Sequence, residues 1–323
     1  MEDIAEALGE RTVRDEPMSR HTTSRIGGPA DGFIEATSAD ELRETVLLAR
    51  QHRIAYFVLG GGSNILVSDT GIRGMVILNK ARRTKFQPPK RTGGKLSNSK
   101  SQRVWAESGV ILPTLARECI ERGWAGLEWA IGVPGTVGGA VVGNAGAHGG
   151  DMAQSLVSAT VLDSDGNVRD WANQELQFGY RRSILKYPTP ALRAGASVPN
   201  TQYPKPVVLA AELELRQSTR EELEAKAVEF TERRKRTQPP GASMGSMFKN
   251  PPGDYAGRLI EAAGLRGARI GNAEISQLHA NFFVNTGGAS AQDVYSLICM
   301  ARDRVKAQFG IELELEIELA GEW

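Results

Sequence analysis

The stretch "GVPGTVGGAVVGNAGAHGG", residues 132–150, places eight glycines among small apolar residues and is the strongest indication of the fold in this sequence. Glycine lowers the stability of helices and strands, so this density indicates that the backbone comes close to something else. A neighbouring helix packed on the segment would explain it. A large flat ligand that carries a diphosphate would explain it equally well, and the stretch alone leaves both open.

A second glycine cluster, "LGGGSNIL" at residues 59–66, lies about 70 residues earlier in the chain. It matches neither standard phosphate fingerprint, because Ile65 stands where G-x-G-x-x-G requires its last glycine and no G-x-x-x-x-G-K-[ST] occurs. Three glycines followed by Ser63 and Asn64, directly after a strand-like segment, would nevertheless suit a turn that binds phosphate through N–H groups. A plain tight turn is the alternative.

Hydrophobic periodicity around these clusters predicts a chain of alternating strands and helices. A βαβ unit comes first, and Ser38 and Glu41 in its helix have the spacing of a capping box. Thr219 and Glu222 mark the start of another helix. The predicted strands are 32–36, 54–59, 65–67, 74–79, 103–110, 155–163, 168–171, 281–285 and 311–319, and the predicted helices are 38–53, 111–123, one opening near 135–136, 219–238, 254–264 and 290–310.

The last of these strands, "IELELEIEL", alternates without a break and would place four glutamates on one face. The periodicity does not distinguish one of these glutamates from another. All four are explained if they lie on a solvated polar face of the sheet. The predicted strand by itself therefore assigns them no chemistry.

Composition limits the possible functions. With 323 residues, 41% of them hydrophobic, and a net charge of +1, the chain can bury a large core and has no overall charge that would recruit nucleic acid or a membrane. Its first residues lack an apolar leader, so we expect the cytoplasm. Cys119 and Cys299 fit neither a disulfide framework nor a metal site, and both are predicted to be buried thiols. Residues 83–103 and 188–206 are predicted to be mobile surface insertions.

Seven motifs, in order, resemble the UDP-N-acetylenolpyruvoylglucosamine reductase family, over residues 22–319 apart from the two insertions. They are "TTSRIGGPAD", "LGGGSNILVSD", "GVPGTVGGAVVGNAGAHGG", "FGYRRS", "GSMFKNPPGDYAGRLIEAAGLRG", "ISQLHANFFVNTGGAS" and "FGIELELEI". The family belongs to the vanillyl-alcohol-oxidase or p-cresol-methylhydroxylase-like flavoproteins. This chain resembles its shorter, second type, because the glycine-rich loops lack an extra tyrosine-bearing substrate loop.

The resemblance implies an α+β fold: a two-part FAD-binding domain of the p-cresol methylhydroxylase type plus a C-terminal α+β substrate-binding domain. We expect the first FAD-binding subdomain at residues 1–82, the second at 83–218 and the substrate-binding domain at 219–323. Non-covalent FAD is the implied cofactor and NADPH the co-substrate, in a protein expected to be a monomer. The implied FAD-binding residues are Gly60, Gly61, Gly62, Ser63, Asn64, Pro134, Gly135, Val137, Gly138, Gly139, Asn144 and Ala147.

The implied reaction is the NADPH-dependent reduction of UDP-N-acetylglucosamine enolpyruvate to UDP-N-acetylmuramate, for peptidoglycan and the bacterial cell wall. Hydride added to the enolpyruvyl CH2 carbon leaves negative charge beside a carboxylate, which calls for a cation and a proton donor. The resemblance assigns the cation to Arg181, next to Arg182, and the proton donor to Ser246. It assigns stabilisation of the intermediate to Glu316.

Other residues carry weaker assignments from the resemblance. Lys249 and Asn250 would contact the UDP moiety, and His279 and Asn281 would either join them or hold the third domain together. Leu315 stands where the family has a proline, which would change the register of the acidic strand. Two alternatives remain: a different flavin oxidase of the superfamily, with flavin attached through histidine, and a nucleotide-binding module that has lost catalysis.

Overall fold

The computed structural model of the protein describes residues 9, 11–87, 101–186 and 205–323. Within these ranges the strands are β1 Val13–Pro17, β2 Pro29–Ala36, β3 Tyr56–Leu59, β4 Ile65–Val67, β5 Ile72–Asn79, β6 Thr84–Gln87, β7 Ser101–Glu107, β8 Trp124–Ala125, β9 Gly146–Ala147, β10 Gly150–Asp151, β11 Leu156–Leu162, β12 Val168–Ala172, β13 Val207–Gln217, β14 Ala242–Ser246, β15 Arg269–Ile270, β16 Ala273–Ile275, β17 Phe282–Asn285 and β18 Glu318–Ala320. The helices are α1 Ala39–Gln51, α2 Leu112–Glu121, α3 Val137–Gly143, α4 Met152–Ser155, α5 Arg220–Thr237, α6 Ala256–Ala262 and α7 Ala291–Phe309.

The N-terminal sheet contains the predicted βαβ unit, which is confirmed. Its strand order is β1-β2-β5-β3, and β2 and β3 both run parallel to β5. Helix α1 packs Leu42 and Val46 against it. The Ser38 hydroxyl accepts a hydrogen bond from the Glu41 N–H, as the cap spacing predicts, whereas the Glu41 carboxylate accepts from the Thr37 N–H.

A second sheet follows, with the order β12-β11-β13-β7-β6. The sequence analysis did not identify its central strand β13, which pairs antiparallel with both β11 and β7. The predicted insertion 83–103 is wrong at its ends, because β6 and the first residues of β7 pair with each other there. The remaining parts of both predicted insertions, residues 88–100 and 188–204, lie outside the described residues.

The C-terminal part of the chain has its own sheet, with the order β14-β17-β16-β15. Helices α6 and α7 cover it, and Phe248, Phe283 and Leu297 lie in the core between them. Thr219 caps helix α5 as predicted, because its hydroxyl accepts a hydrogen bond from the Glu222 N–H. Cys119 is buried as predicted, whereas Cys299 is only half-buried.

The prediction of one uninterrupted acidic strand at 311–319 is wrong. Residue Leu315 forms an isolated bridge with Phe248, and only β18 is a regular strand, running parallel to β4. Between residues 315 and 318 the backbone stops pairing with Phe248 and begins to pair with β4. Glu316 and Ile317 are therefore both buried, and buried and exposed residues no longer alternate. The bridge uses the Glu314 carbonyl and the Glu316 N–H, which leaves the Leu315 N–H out of the pairing.

Contacts of strand β4 and of the loop that follows it join the C-terminal part to the N-terminal part of the chain. Strand β18 pairs with β4, placing Glu318 opposite Ile65, and the Asp69 carboxylate accepts hydrogen bonds from the N–H groups of Ala291 and Gln292. Both N–H groups belong to the first turn of α7, where a helix has no internal acceptors for them. No helix in the described ranges is long and apolar enough to cross a membrane.

Candidate active site

A cavity of about 1080 Å³ lies where the three parts of the chain meet. Its walls include both glycine clusters, together with Arg181, Ser246 and Glu316. The three residues predicted to be catalytic, from three separate segments of sequence, therefore share one cavity with the two predicted cofactor loops.

The two glycine loops are in direct contact. The Ser63 hydroxyl donates a hydrogen bond to the Pro134 carbonyl at 3.2 Å. A Cβ atom on Gly61 would lie 3.0 Å from the Cα of Gly135, and one on Gly60 would lie 2.6 Å from the Thr136 hydroxyl. Glycine is required at these positions because the two loops lie backbone against backbone at the cavity wall.

The first loop fits a diphosphate. Gly62 has a φ of +60°, which favours glycine, and a Cβ there would collide with the His21 carbonyl oxygen. Among the described residues, no acceptor is found for the N–H groups of Gly61, Gly62 and Ser63. Consecutive unpaired N–H groups at a glycine turn are a common anion-binding arrangement, so this chain has the donors that the diphosphate of FAD would need.

Ten of the twelve predicted cofactor residues line the cavity, the exceptions being Val137 and Asn144. Val137 is fully buried in the core of the second sheet. Asn144 ends α3 with a φ of +43°, and its amide donates a hydrogen bond to the Gly179 carbonyl at 3.0 Å. It therefore positions the turn that carries Arg181, a role that the motif did not indicate.

Arg181 and Glu316 are paired inside the cavity. The Nε atom of Arg181 lies 2.9 Å from Oε1 of Glu316, whereas Arg182 is exposed. Arg181 has a φ of +53°, uncommon for a residue with a Cβ, so the turn holds it in a strained conformation. Arg181 has no other acidic partner within the part of the chain that the structure describes.

Glu316 differs sharply from its acidic neighbours. Its side chain is 11% exposed, compared with 67% for Glu312 and 75% for Glu314. Burial raises the pKa of the Glu316 carboxyl above its ordinary value, although the cations Arg181, Lys186 and Lys249 act in the opposite direction. Glu318 also lines the cavity, which its place on a predicted polar face did not suggest.

Ser246 lies at the end of β14, directly after Gly245, which has a φ of +77°. The pairing of β14 with β17 is irregular between Ser243 and Ser246, so the serine leaves the regular alternation of the strand. Asn281 holds the next residues, because its amide exchanges hydrogen bonds with the backbone of Phe248. Asn281 is buried and does not line the cavity, which makes its contribution structural.

The residues predicted to contact the UDP moiety do not line the cavity. Lys249 pairs with Glu314 at 3.0 Å, and the Asn250 side chain accepts a hydrogen bond from the Ala256 N–H at the start of α6. His279 lies against Phe282 and accepts a hydrogen bond from the Asn281 N–H. These side chains support the loop that follows Ser246.

Sequence reasoning missed three other cavity residues, Arg233, Arg234 and His148. Cations at the C-terminal end of a helix complement its dipole, so the residue pattern of α5 does not distinguish these two arginines from ordinary C-terminal cations. In the structure they face the cavity, and neither forms an ion pair with a described acidic residue. The His148 ring stacks on Phe230 of the same helix at 4.2 Å, and burial together with these arginines lowers its pKa.

The glycine cradle and the size of the cavity suit FAD, and the comparisons with known proteins define the class: an FAD-dependent oxidoreductase. Comparison with protein families agrees, since residues 30–171 match the FAD binding domain family. Residues 237–320 match the C-terminal domain of UDP-N-acetylenolpyruvoylglucosamine reductase.

Whole-chain relatives identify the family. The chain is 43% identical to the UDP-N-acetylenolpyruvoylglucosamine reductase of Chloroflexus aggregans, over 94% of this chain and 96% of that protein. It is 44% identical to the enzyme of that name from Rubrobacter xylanophilus, over 95% of each chain. The crystal structure of the Thermus caldophilus enzyme superposes with a TM-score of 0.72 at 35% identity, covering 96% of this chain and 98% of that one. This chain belongs to the UDP-N-acetylenolpyruvoylglucosamine reductase family.

Proposed function

We propose that the chain reduces UDP-N-acetylglucosamine enolpyruvate to UDP-N-acetylmuramate with electrons from NADPH, in peptidoglycan precursor synthesis. The observation that carries this proposal is the meeting of Arg181, Ser246 and Glu316 in one cavity with the glycine loops. When bound, FAD would pass a hydride from NADPH to the CH2 carbon of the enolpyruvyl group. The residues of the chain bind the substrate, stabilise the charge that develops and supply a proton.

Arg181 is positioned to bind the substrate carboxylate. Glu316 is the acidic partner of Arg181 among the described residues, and the planar guanidinium group carries five N–H donors, more than one carboxylate uses. As negative charge develops beside that carboxylate, a fixed guanidinium group in a partly buried site lowers its energy more than water would.

Ser246 supplies the proton to the carbon that carries the developing charge. Gly245 and the irregular pairing of β14 place this serine on the cavity wall, close to the segment that bears Glu316. The Glu316 N–H donates to the Met247 carbonyl, which fixes the distance between the two catalytic segments. Glu316 orients Arg181 through their ion pair, in a site where burial raises the pKa of the Glu316 carboxyl.

Arg233 and Arg234 suit the diphosphate of a nucleotide substrate. Both line the same cavity without an acidic partner among the described residues. An arginine pair gives two planar donor groups for phosphate oxygens. This arrangement supports binding of the UDP part of the substrate beside α5, and contacts from Lys249 and Asn250 to it stay a prediction.

The proposal extends to domain organisation and location. Residues 1–82 and 83–218 would form the FAD-binding subdomains and residues 219–323 the substrate-binding domain. One chain supplies all three catalytic residues, so a monomer suffices. The proposed location is the cytoplasm.

The proposal is tested by following NADPH consumption by the purified, flavin-loaded protein with and without the enolpyruvyl substrate. Sustained consumption only with the substrate, with UDP-N-acetylmuramate formed in equal amount, is the expected result. Failure of the substrate to sustain turnover contradicts the proposed function.

A further inference from the structure

Lys186 is a cavity residue to which the proposed reaction gives no role. It lies at the end of the turn that carries Arg181, and its ammonium group is largely buried. A buried ammonium group loses hydration free energy unless other groups replace the lost water. The groups that surround Lys186 should therefore show what stabilises its positive charge.

The backbone around Lys186 is held firmly. Its N–H donates to the Ser183 carbonyl, and the Ser183 hydroxyl donates to the Val142 carbonyl near the end of α3 at 2.7 Å. Ser183 is itself buried. The anchor that fixes the Arg181 turn to α3 thus also determines where the Lys186 side chain begins.

The Lys186 ammonium nitrogen lies 3.4 Å from the carbonyl oxygen of Glu316. The same oxygen accepts a hydrogen bond from the side-chain amide of Asn64 at 3.1 Å. Two residues from different parts of the chain therefore hold one carbonyl, at the point where the C-terminal segment changes its pairing partner from Phe248 to β4.

We propose that Lys186 is a positioning residue for Glu316: with Asn64 it holds the Glu316 carbonyl, so that the carboxylate faces Arg181 in the cavity. The inference rests on the proposed role of Glu316, but its test needs no turnover. It adds a residue to the reaction machinery that touches neither Arg181 nor Ser246.

The charges around Glu316 make this role measurable. Arg181 and Lys186 face it from the segment after β12, Lys249 faces it from the loop after β14, and Glu318 lies on its own segment. Each of the three cations lowers the pKa of Glu316, against the burial that raises it. The carboxylates of Glu316 and Glu318 in turn favour the charged form of Lys186.

The test follows the titration of Glu316 by NMR in the holoprotein, with glutamate labelled at the side-chain carboxyl carbon. Glu316→Gln identifies the signal by its absence. We expect Lys186→Met to raise the titration midpoint of Glu316 by about half a pH unit or more, because a nearby positive charge is lost. Lys186→Gln keeps an N–H donor for the carbonyl without the charge and should shift the midpoint less than Lys186→Met, whereas Lys186→Arg should keep the wild-type midpoint.

Lys306→Met is the matched control, since Lys306 pairs with exposed Glu312 on the same C-terminal segment and should leave the Glu316 signal unchanged. Flavin content and melting temperature show that each variant is folded. An unchanged midpoint in the Met variant overturns the proposal, and so does a Gln variant that shifts as far as the Met variant, because the contact with the Glu316 carbonyl would then have no effect. So does an Arg variant that shifts as far as the Met variant, because the effect would then come from altered packing.

Discussion

The Nε atom of Arg181 lies 2.9 Å from Oε1 of Glu316, and this pair joins the turn after β12 to the C-terminal segment of the chain. Arg181 reaches it through a strained backbone conformation that Asn144 supports from the end of α3. Glu316 reaches it because its carbonyl is held by Asn64 and Lys186. The geometry of the pair thus depends on the flavin loop, the second sheet and the C-terminal segment together.

Glu316→Gln should reduce turnover of the enolpyruvyl substrate by about 10²-fold or more, the scale of a positioned acid–base group. The amide cannot pair with the charge of Arg181 in the same way. Steady-state assays with the substrate varied measure the loss, and the rate of flavin reduction by NADPH should stay near the wild-type value.

The matched control for this variant is Glu314→Gln. Glu314 is two residues away and 75% exposed, so its substitution should be nearly silent. Glu318 cannot serve as a control, because it lines the cavity. Equal losses at Glu314 and Glu316 would contradict the assignment.

Ser246→Ala should keep bound flavin and its reduction by NADPH but lose about 10²–10⁴-fold in substrate turnover, because the proton donor is removed. Ser243→Ala is the control, since Ser243 lies on the same strand and does not line the cavity. Stopped-flow measurement of flavin reduction and of its reoxidation by substrate separates the two steps. Unchanged reoxidation in Ser246→Ala would remove this serine from the mechanism.

The contribution of Glu316 to the free energy of unfolding should fall as the pH rises. Its folded-state pKa is raised by burial above the ordinary 4.5, so the carboxyl favours folding below that pH and the benefit is lost as the pH rises through the raised pKa. We therefore expect the free energy of unfolding of Glu316→Gln, relative to the wild type, to increase with pH. Urea unfolding between pH 4 and 9 measures this difference, and a flat or falling difference would contradict it.

Glu41 should show the opposite dependence. Hydrogen bonds from Thr37 and the neighbouring Arg11 lower its pKa from 4.5 to about 2. Its contribution to folding is therefore present above pH 4.5 and is lost as the pH falls through about 2. Glu41→Gln should be less stable than the wild type at neutral pH, and this difference should shrink in acid unfolding experiments. A difference that stays constant down to pH 2 would show that the carboxylate does not titrate as described.

Local requirements could be predicted from the sequence, and contacts between distant segments could not. The glycine loops were found because close backbone approach demands glycine at each position, whatever lies opposite. The βαβ unit and the caps at Ser38 and Thr219 follow from short-range periodicity and hydrogen bonding. These features need no knowledge of the rest of the chain.

The missed features all depend on tertiary partners. Glu316 is buried because its segment leaves Phe248 and joins β4, a change that alternation of residues cannot reveal. Arg234 fits the pattern of a helix C-terminus, and only its packing over Gly132 brings it to the cavity. Family motifs indicated catalytic roles for Arg181 and Ser246. The contact of Lys186 with the Glu316 carbonyl is visible only in the folded structure.

Asp69→Ala should lower the free energy of unfolding by about 1–2 kcal/mol, the scale of losing an N-terminal helix cap with its charge–dipole interaction. The carboxylate accepts from the Ala291 and Gln292 N–H groups at 2.8 and 2.9 Å, from a loop between β4 and β5, so it caps α7 across the chain. Urea unfolding measures the loss, and hydrogen exchange should show faster exchange in the first turn of α7. Asp165→Ala, in an exposed turn of the second sheet, is the control. If both variants lose the same stability, and exchange in α7 is unchanged, then Asp69 does not hold the C-terminal helix against the N-terminal sheet.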